Sequence, residues 1–283
     1  MKYLLVMVAS MATILVACEK NTQMDNNDPL IIPVSEGIVN EVSGIADSKA
    51  NPGALWVEQD GGNPSELILL SHNAQLQKKI VIKGMLNRDW EDMTLATGPD
   101  LSKNYIYIGE IGDNAAVYNS YSIIRFPEPS SAVDSVLQTD IISFKYPDGA
   151  HDAEAFLVEP GSLDIYIITK RETKSLIYKL TYPYSVTTLN STVAVGQLPY
   201  NLVVSAAIQP DGKGVVVKDY SNIYFYPRES GETIQVVLAK NFQRLNYVAE
   251  QQGEAICFSN DSQHYFTLSE RVNTNVSLYY YRK

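Results

Sequence analysis

Carboxylates recur in this chain at a spacing that could build a cation site. Glu91, Glu154 and Glu254 open three similar segments, Glu91-Asp92-Met93, Glu154-Ala155-Phe156 and Glu254-Ala255-Ile256. Ser43-Gly44-Ile45 and Ala206-Ala207-Ile208 repeat the pattern without the acid, and Asp92 is the one residue that breaks the small-residue rule at its position. Two residues before each opening lie Glu41, Asp89, Asp152, Val204 and Gln252. If such segments face one another, their carboxylates repel and lose hydration, and a cation, a shared proton or water must offset the cost. A hard cation held by oxygens is the simplest answer, Ca2+ outside the cytoplasm. The expected metal ligands are Glu91, Glu154 and Glu254, with Asp89 and Asp152 behind them. The alternative is a wet, partly protonated space with no fixed ion.

A second set of charges follows about fifteen residues after each opening: Glu58 and Asp60, Glu110 and Asp113, Lys170 and Arg171, Lys218 and Asp219, Glu270 and Arg271. The run Gly109-Glu110-Ile111-Gly112-Asp113-Asn114 joins carboxylate and amide oxygens to flexible glycines, a plausible ligand-binding edge. Lys170, Arg171, Lys218 and Arg271 suit phosphate or carboxylate groups; otherwise they pair with acidic neighbours in solvent, where such pairs are weak. These residues, with Glu58, Asp60, Glu110, Asp113, Asn114 and Glu270, are the expected ligand-binding set. His72, His151 and His264 show no zinc spacing. No serine sits in a G-x-S-x-G turn. His151, next to Asp152, is the one histidine adjacent to the proposed ring, and it reads as a loop residue with an acid/base role as the alternative.

The elements that must position these residues are short and β-like. Segments rich in Val, Ile, Tyr and Thr alternate with Gly, Pro, Asn and Asp turns, and no stretch shows a helical period. Each opening is followed by a turn and a second strand: 54–57, 105–108, 165–168, 215–217 and 265–268. Third strands follow at 67–70, 122–125, 176–179, 223–226 and 277–280, and fourth strands at 79–82, 141–144, 192–195 and 233–236. The period of roughly 50 residues belongs to propeller blades. A lone four-stranded meander leaves both faces bare, and radial stacking covers them. The expected fold is all-β, a propeller of five four-stranded blades whose first strands line a central channel. The fifth unit stops at Lys283 without a fourth strand. Leu30-Ile31-Ile32-Pro33-Val34 can supply it and close the ring. Six blades, or a sandwich with coincidental periodicity, are the alternatives.

The first residues read as an export signal. Lys2 precedes an apolar run too short to span a membrane comfortably, ending in Leu15-Val16-Ala17-Cys18. This resembles a bacterial lipobox, with Cys18 as the thiol that takes the lipid. Residues 1–17 are then a signal peptide, 18–28 a polar tether and 29–283 a single propeller domain. Cys257 is the other of two cysteines, so no disulfide framework or cysteine metal site is expected. With 32 acidic against 22 basic residues and no basic run, nucleic acid is excluded as a partner. The expected setting is the bacterial cell envelope, most simply the outer membrane, for a monomer held there by its lipid.

Asp89-Trp90-Glu91-Asp92, the Gly109–Asn114 run, Asp152-Ala153-Glu154-Ala155, Thr169-Lys170 and Gly253-Glu254-Ala255-Ile256 together resemble secreted bacterial propellers of the phytase-like esterase and SdiA-regulated groups. The resemblance runs from about Val42 to the C-terminus. It implies Glu91, Glu154 and Glu254 as metal ligands and Lys170 and Arg171 as anion contacts. The five-blade count departs from the six blades of phytases. Three functions follow: a binding module for a small molecule, a glycan or an envelope protein, with a structural Ca2+; a calcium-assisted phosphoesterase; or a glycoside hydrolase using channel carboxylates, with Trp56, Trp90 or tyrosines lining a sugar cleft.

Overall fold

The strands form where β-branched and aromatic residues cluster between turns. The computed structural model describes residues 28–271 and 276–282; the signal segment, Cys18 and most of the tether lie outside them. After β1 (Leu30–Pro33), the first blade is β2 (Val42–Asp47), β3 (Ala54–Gln59), β4 (Glu66–Ser71) and β5 (Leu76–Ile82). The second is β6 (Trp90–Thr97), β7 (Asn104–Glu110), β8 (Tyr121–Pro127) and, after a short β9 (Ser135–Val136), β10 (Asp140–Lys145). The third is β11 (Ala153–Val158), β12 (Ile165–Thr169), β13 (Leu176–Leu180) and, after β14 (Asn190–Ser191), β15 (Val193–Gln197). The fourth is β16 (Val203–Ile208), β17 (Gly214–Asp219), β18 (Ile223–Pro227) and β19 (Gln243–Leu245). The fifth is β20 (Gly253–Phe258), β21 (His264–Ser269), β22 (Ser277–Arg282) and β1. The protein is thus an all-β, five-bladed propeller, and the ring closes where β20 packs against β2.

The N-terminal strand completes the last blade as the missing fourth strand required. β1 runs antiparallel to β22, Leu30 opposite Tyr280 and Pro33 opposite Ser277, and Val34 N donates to Val276 O at 2.9 Å.

Covered faces explain the composition of the strands. Successive side chains of one strand point to opposite neighbours, so the second strands are apolar over most of their length and carry their charges at their ends. In β3, Leu55 and Val57 pack toward Phe266 and Leu268 of the fifth blade, while Trp56 packs toward Ile106 and Ile108 of the second. In β12, Ile165 and Ile167 join Tyr107 and Phe144 on one side, and Tyr166 and Ile168 join Val215 and Tyr226 on the other. The rim strand β15 is mostly exposed and mixed in character.

Two features depart from the sequence reading. Residues 233–236 are not a fourth strand. Thr233 caps a short helix, α1 (Ile234–Leu238), its side chain accepting from Val236 N, and Ile234, Val237 and Leu238 bury one face. Apolar spacing of three and four is helical, and Glu159 Oε1 takes the Ile234 N–H at 2.8 Å. The fourth strand falls to β19. In addition, β9 and β14 add short parallel pairings at the rims of the first and second blades, to β5 and β10.

Candidate functional site

Each inner strand carries an irregularity at the same place. The ladder to the second strand skips one residue between Val42 and Gly44, Trp90 and Asp92, Ala153 and Ala155, Val203 and Ser205, and Gly253 and Ala255. The skipped residues are Ser43, Glu91, Glu154, Val204 and Glu254. A bulge frees one residue from pairing and re-aims its side chain. In the fourth blade the ring position therefore belongs to Val204, two residues before the expected Ala206, which pairs normally with Val217. No acid or glycine marks that blade, so its Ala-Ala-Ile imitated the pattern of the others.

Three of the five bulge residues open into a cup at one mouth of the channel, about 280 Å3 in volume. Glu91, Glu154 and Glu254 line it, with Asp60, Asn114, Lys170, Arg171 and Glu270 from the expected ligand-binding set. Gln252, two residues before its opening, also lines it, and so do Tyr220 and Leu202, which were not anticipated. Leu202 and Gln252 have φ of 58° and 48°. Each stands two residues before its bulge, the place held by Asp89 and Asp152 in other blades. The shared offset from the bulge was the available signal.

Two groups of carboxylates share the cup residue Glu91, and each includes one acid outside the cup lining, Asp89 or Asp152. Asp60, Asp89 and Glu91 each place an oxygen within 4.8 Å of the others, and so do Glu91, Asp152 and Glu154. Small residues make this crowding feasible. A β-carbon on Gly112 would lie 2.6 Å from the Asp89 carboxyl carbon and closer still to Glu91 Oε1, and one on Gly61 would lie 2.7 Å from Asp89 Oδ1. Burial, and after it the neighbouring Glu154 and Asp60, holds the Glu91 carboxyl well above the usual carboxylate range. Burial raises Glu154 as well, against the pull of Lys170. Asp60 is pushed up to about 6 by burial, with the Gly61 N–H opposing and Asp89 adding to it. Glu270 is pushed up to about 8 by burial and by Glu254.

The basic side of the cup is built into this cluster. Lys170 Nζ binds Glu154 Oε1, lies 3.9 Å from Glu254, and donates to Tyr220 OH at 2.8 Å. Tyr220 in turn donates to Glu254 Oε1 at 2.7 Å. Arg171 Nε binds Asp152, and half of the Arg171 side chain stays exposed. Glu154 Oε2 is buried without a partner. One of its oxygens is thus committed to Lys170, and the other is an unpartnered hard oxygen of the kind that suits a hard cation.

The remaining expected residues lie elsewhere. Asp113 is a loop anchor: its oxygens accept from Val117 N, Tyr118 N and Tyr121 OH at 2.8–2.9 Å. Glu110 faces Arg88 at 3.7 Å. Arg271 pairs with Glu36 beside the closing strand. His151 sits between Glu172 at 2.6 Å and Tyr178 at 2.9 Å, outside the cup lining. Glu58 and Lys218 are fully buried and do not line the cup. Lys218 reaches Gly253 O and stands over the Tyr247 ring, and burial lowers it to about 8.

Below the cup, Asp92 fills the axis. It accepts from Met93 N at 3.0 Å, Phe156 N at 3.3 Å, Ser205 Oγ at 3.0 Å and Ala206 N at 3.4 Å. These donors come from the second, third and fourth blades. Burial raises its carboxyl and the four donors pull the other way.

No family model matches the chain, and no curated protein matches it. Among solved structures, one described as a nidogen/laminin complex contains a chain 9% identical, with a TM-score of 0.46, covering 82% of this chain and 73% of that one. A chain of Kuenenia stuttgartiensis hydrazine synthase is 10% identical, with a TM-score of 0.41, covering 86% and 83%.

Proposed function

We propose that the protein is a lipid-tethered binding propeller of the bacterial envelope, whose acidic cup holds a divalent cation as part of its ligand-binding surface. The observation that carries this reading is Glu91, the carboxylate common to both oxygen groups in a cup that opens to solvent. Asp60 and Asp89 on one side and Glu154 Oε2 on the other would hold the ion. Calcium fits best, because every donor is a hard oxygen and the setting inferred from Cys18 is outside the cytoplasm. The ion would offset the repulsion among the carboxylates and present a positive centre to an anionic or hydroxyl-rich group of a small molecule, glycan or envelope protein. Arg171, half exposed at the rim, would meet the same ligand. The likeness to phytase-like and SdiA-regulated propellers rests on the sequence motifs and is part of this proposal.

The test is calorimetric titration of the purified protein with Ca2+. Binding to the native state should raise the melting temperature, and Glu91→Gln should weaken the response at least about tenfold. Arg271→Ala, whose partner Glu36 lies away from the cup, should leave it intact. Equal calcium binding in wild type and Glu91→Gln would sink the reading.

A calcium-assisted phosphoesterase is the second reading, favoured by Lys170 and Arg171 lining the same cavity as the carboxylates. A bound cation would polarise a phosphoryl oxygen and acidify water. The chain itself would orient the phosphate through Arg171 and keep Lys170 close to the developing charge. Turnover of an aryl phosphate that needs both Ca2+ and Arg171 would establish it. A glycosidase finds less support, because Trp56 and Trp90 are wholly buried and Tyr220 is the aromatic side chain lining the cup.

A further inference from the structure

A second cavity, about 250 Å3 in volume, lies at the other end of the blades from the cup, over the seam where the fifth blade meets the first. The cup gathers bulges at the starts of inner strands. This cavity gathers Asp47, the last residue of β2, and the turn Ser259–Asp261 that follows β20. Asp47 bridges the seam: its Oδ2 accepts from Asn260 N at 2.7 Å, and Asn260 Nδ2 donates to Ser48 O at 2.9 Å.

Two histidines line the cavity, and each is held by an acid. His72 Nε2 lies 2.7 Å from Asp47 Oδ1, and His264 Nδ1 lies 3.3 Å from Asp261. A ring nitrogen that faces a carboxylate carries the proton, and the other nitrogen of a neutral imidazole is then an acceptor. Among the described residues, His72 Nδ1 and His264 Nε2 have no hydrogen-bond partner. Between the two histidines runs a wall of rings. Centroid to centroid, His72 lies 4.7 Å from Phe266, Phe266 5.0 Å from Tyr280, and Tyr280 4.7 Å from His264. Phe266 is buried, as packing across the seam requires. His72, Tyr280 and His264 are half-buried and leave surface to the cavity.

The lining narrows the occupant. The volume is below the roughly 300–1,000 Å3 of sites for drug-sized ligands, so it suits about one ring. Asp47 and Asp261 repel phosphate and carboxylate groups. A carboxylate behind each histidine is also the support that a metal-bound imidazole takes, but among the described residues the groups of three or more candidate metal ligands are the two built on Glu91. A neutral ring with an apolar face and several donors along its edge meets both walls. A pyranose is such a ring: its C–H face suits the aromatic wall, and its hydroxyls donate to imidazole nitrogens and to the exposed Asp261 carboxylate.

We propose that the seam cavity is a sugar site, taking one pyranose ring, free or at the end of a glycan, with its C–H face on Tyr280 and its hydroxyls donating to His72 Nδ1 and His264 Nε2. The site is independent of the cup and of any ion held there.

The experiment is saturation-transfer NMR on the detergent-solubilised mature protein. The probes are glucose, galactose, mannose and N-acetylglucosamine, each free and as its methyl glycoside, up to tens of millimolar. Wild type should bind at least one of them. A methyl glycoside that binds as tightly as the free sugar would mark the end of a glycan as the occupant, and binding of free sugars alone would mark a monosaccharide. Tyr280→Ala should abolish the signal. His72→Phe keeps a ring beside Phe266 but removes the acceptor, and should weaken binding about tenfold. His264→Phe should do the same, and these two variants carry the test if Tyr280→Ala does not fold. Glu91→Gln should bind sugar as wild type does, whether or not the cup holds an ion. No binding of any probe by wild type would overturn the site. So would unchanged binding by His72→Phe and His264→Phe proteins with the wild-type circular dichroism spectrum. Binding lost in Glu91→Gln and kept in Tyr280→Ala would also overturn it, by placing the sugar in the cup.

Discussion

At the scale of single residues, the cup is a set of carboxylates kept close by the fold and short of counter-charge. Glu154 shows both halves of the problem, with one oxygen on Lys170 and the other unpartnered. Glu154→Gln should leave the fold intact and remove much of the stabilisation by Ca2+, which for a ligand at a hundredfold excess over its dissociation constant is about 2.7 kcal/mol. Thermal melts with and without chelator check this. If no ion binds, the same variant should be more stable than wild type, because one buried like charge has gone. A second prediction concerns pH. Asp60 and Glu270 in the cup stand at about 6 and 8, and Glu250, buried outside the cup lining beside the Thr267 hydroxyl, at about 7, raised from ordinary values of 3.8, 4.5 and 4.5, with burial the first cause in each. Native protein therefore keeps protons that the unfolded chain has already released. Their contribution to stability is fully present below about pH 4 and is lost as pH rises through 6 to 8. The melting temperature of calcium-free protein should fall from pH 5 to pH 8, and Ca2+ should flatten the fall by taking the place of the protons. A calcium-free melting temperature that climbs over this range would contradict the assignment.

At the scale of elements, five inner strands bring residues from distant parts of the chain to one mouth. Much of this was legible. The Glu-x-apolar openings and the turn and strand that follow each one define the blades, and the unpaired last unit pointed to Leu30–Val34. The bulge was not legible, because the five strands share no residue type that demands it. Its absence from the reading moved the fourth blade by two residues, from Val204 to Ala206. Helix α1 was hidden because Thr-Ile-Gln-Val-Val carries strong strand formers; its cap and its buried spacing of three and four decide the outcome. Asp92 stood out in sequence as an exception without a reason, and the reason is a set of hydrogen bonds to two other blades. Charged residues after the second strands were the least readable. Their types gave no hint that Asp113 would anchor a loop while Arg171 reaches the cup. A test at this scale is deletion of residues before Gly37. Loss of β1 bares the edge of β22 and uncovers Leu278 and Tyr280, and it should lower stability by at least about 2 kcal/mol, roughly 5 °C for a chain of this size. An unchanged melting temperature would show that the ring holds without its closing strand. Gly112→Ala tests the cup from below. Its added methyl would overlap the Asp89 and Glu91 carboxyls, so it should weaken calcium binding while the far-ultraviolet circular dichroism spectrum stays that of the wild type.

At the scale of the whole molecule, attachment and closure are separate matters. Attachment is proposed to rest on Cys18: labelling with a fatty-acid analogue should vanish in Cys18→Ala, and undiminished label would remove the lipid tether. Closure is made twice, at the rim and at the axis. The rim is closed by β1 on β22. The axis is held by Asp92, whose two oxygens gather Met93 N of its own blade, Phe156 N of the third, and Ser205 Oγ and Ala206 N of the fourth. Apolar contacts between adjacent blades act pairwise, whereas this carboxylate touches non-adjacent blades at once. Asp92→Ala would leave two N–H groups of other blades buried with nothing to accept them, at about 1–3 kcal/mol each. Asp92→Asn is the finer probe. The shape is kept, but one oxygen becomes a donor facing N–H groups that already donate, so half of the acceptors are lost. Both variants should shift the midpoint of urea unfolding downward, Asp92→Ala by the larger amount. If Asp92 couples the blades, the loss should exceed that of a surface carboxylate such as Asp134, exposed at the rim and paired with Lys78, since exposed pairs contribute little to stability. An Asp92→Asn protein as stable as wild type would mean that packing between neighbouring blades holds the ring without its axial carboxylate.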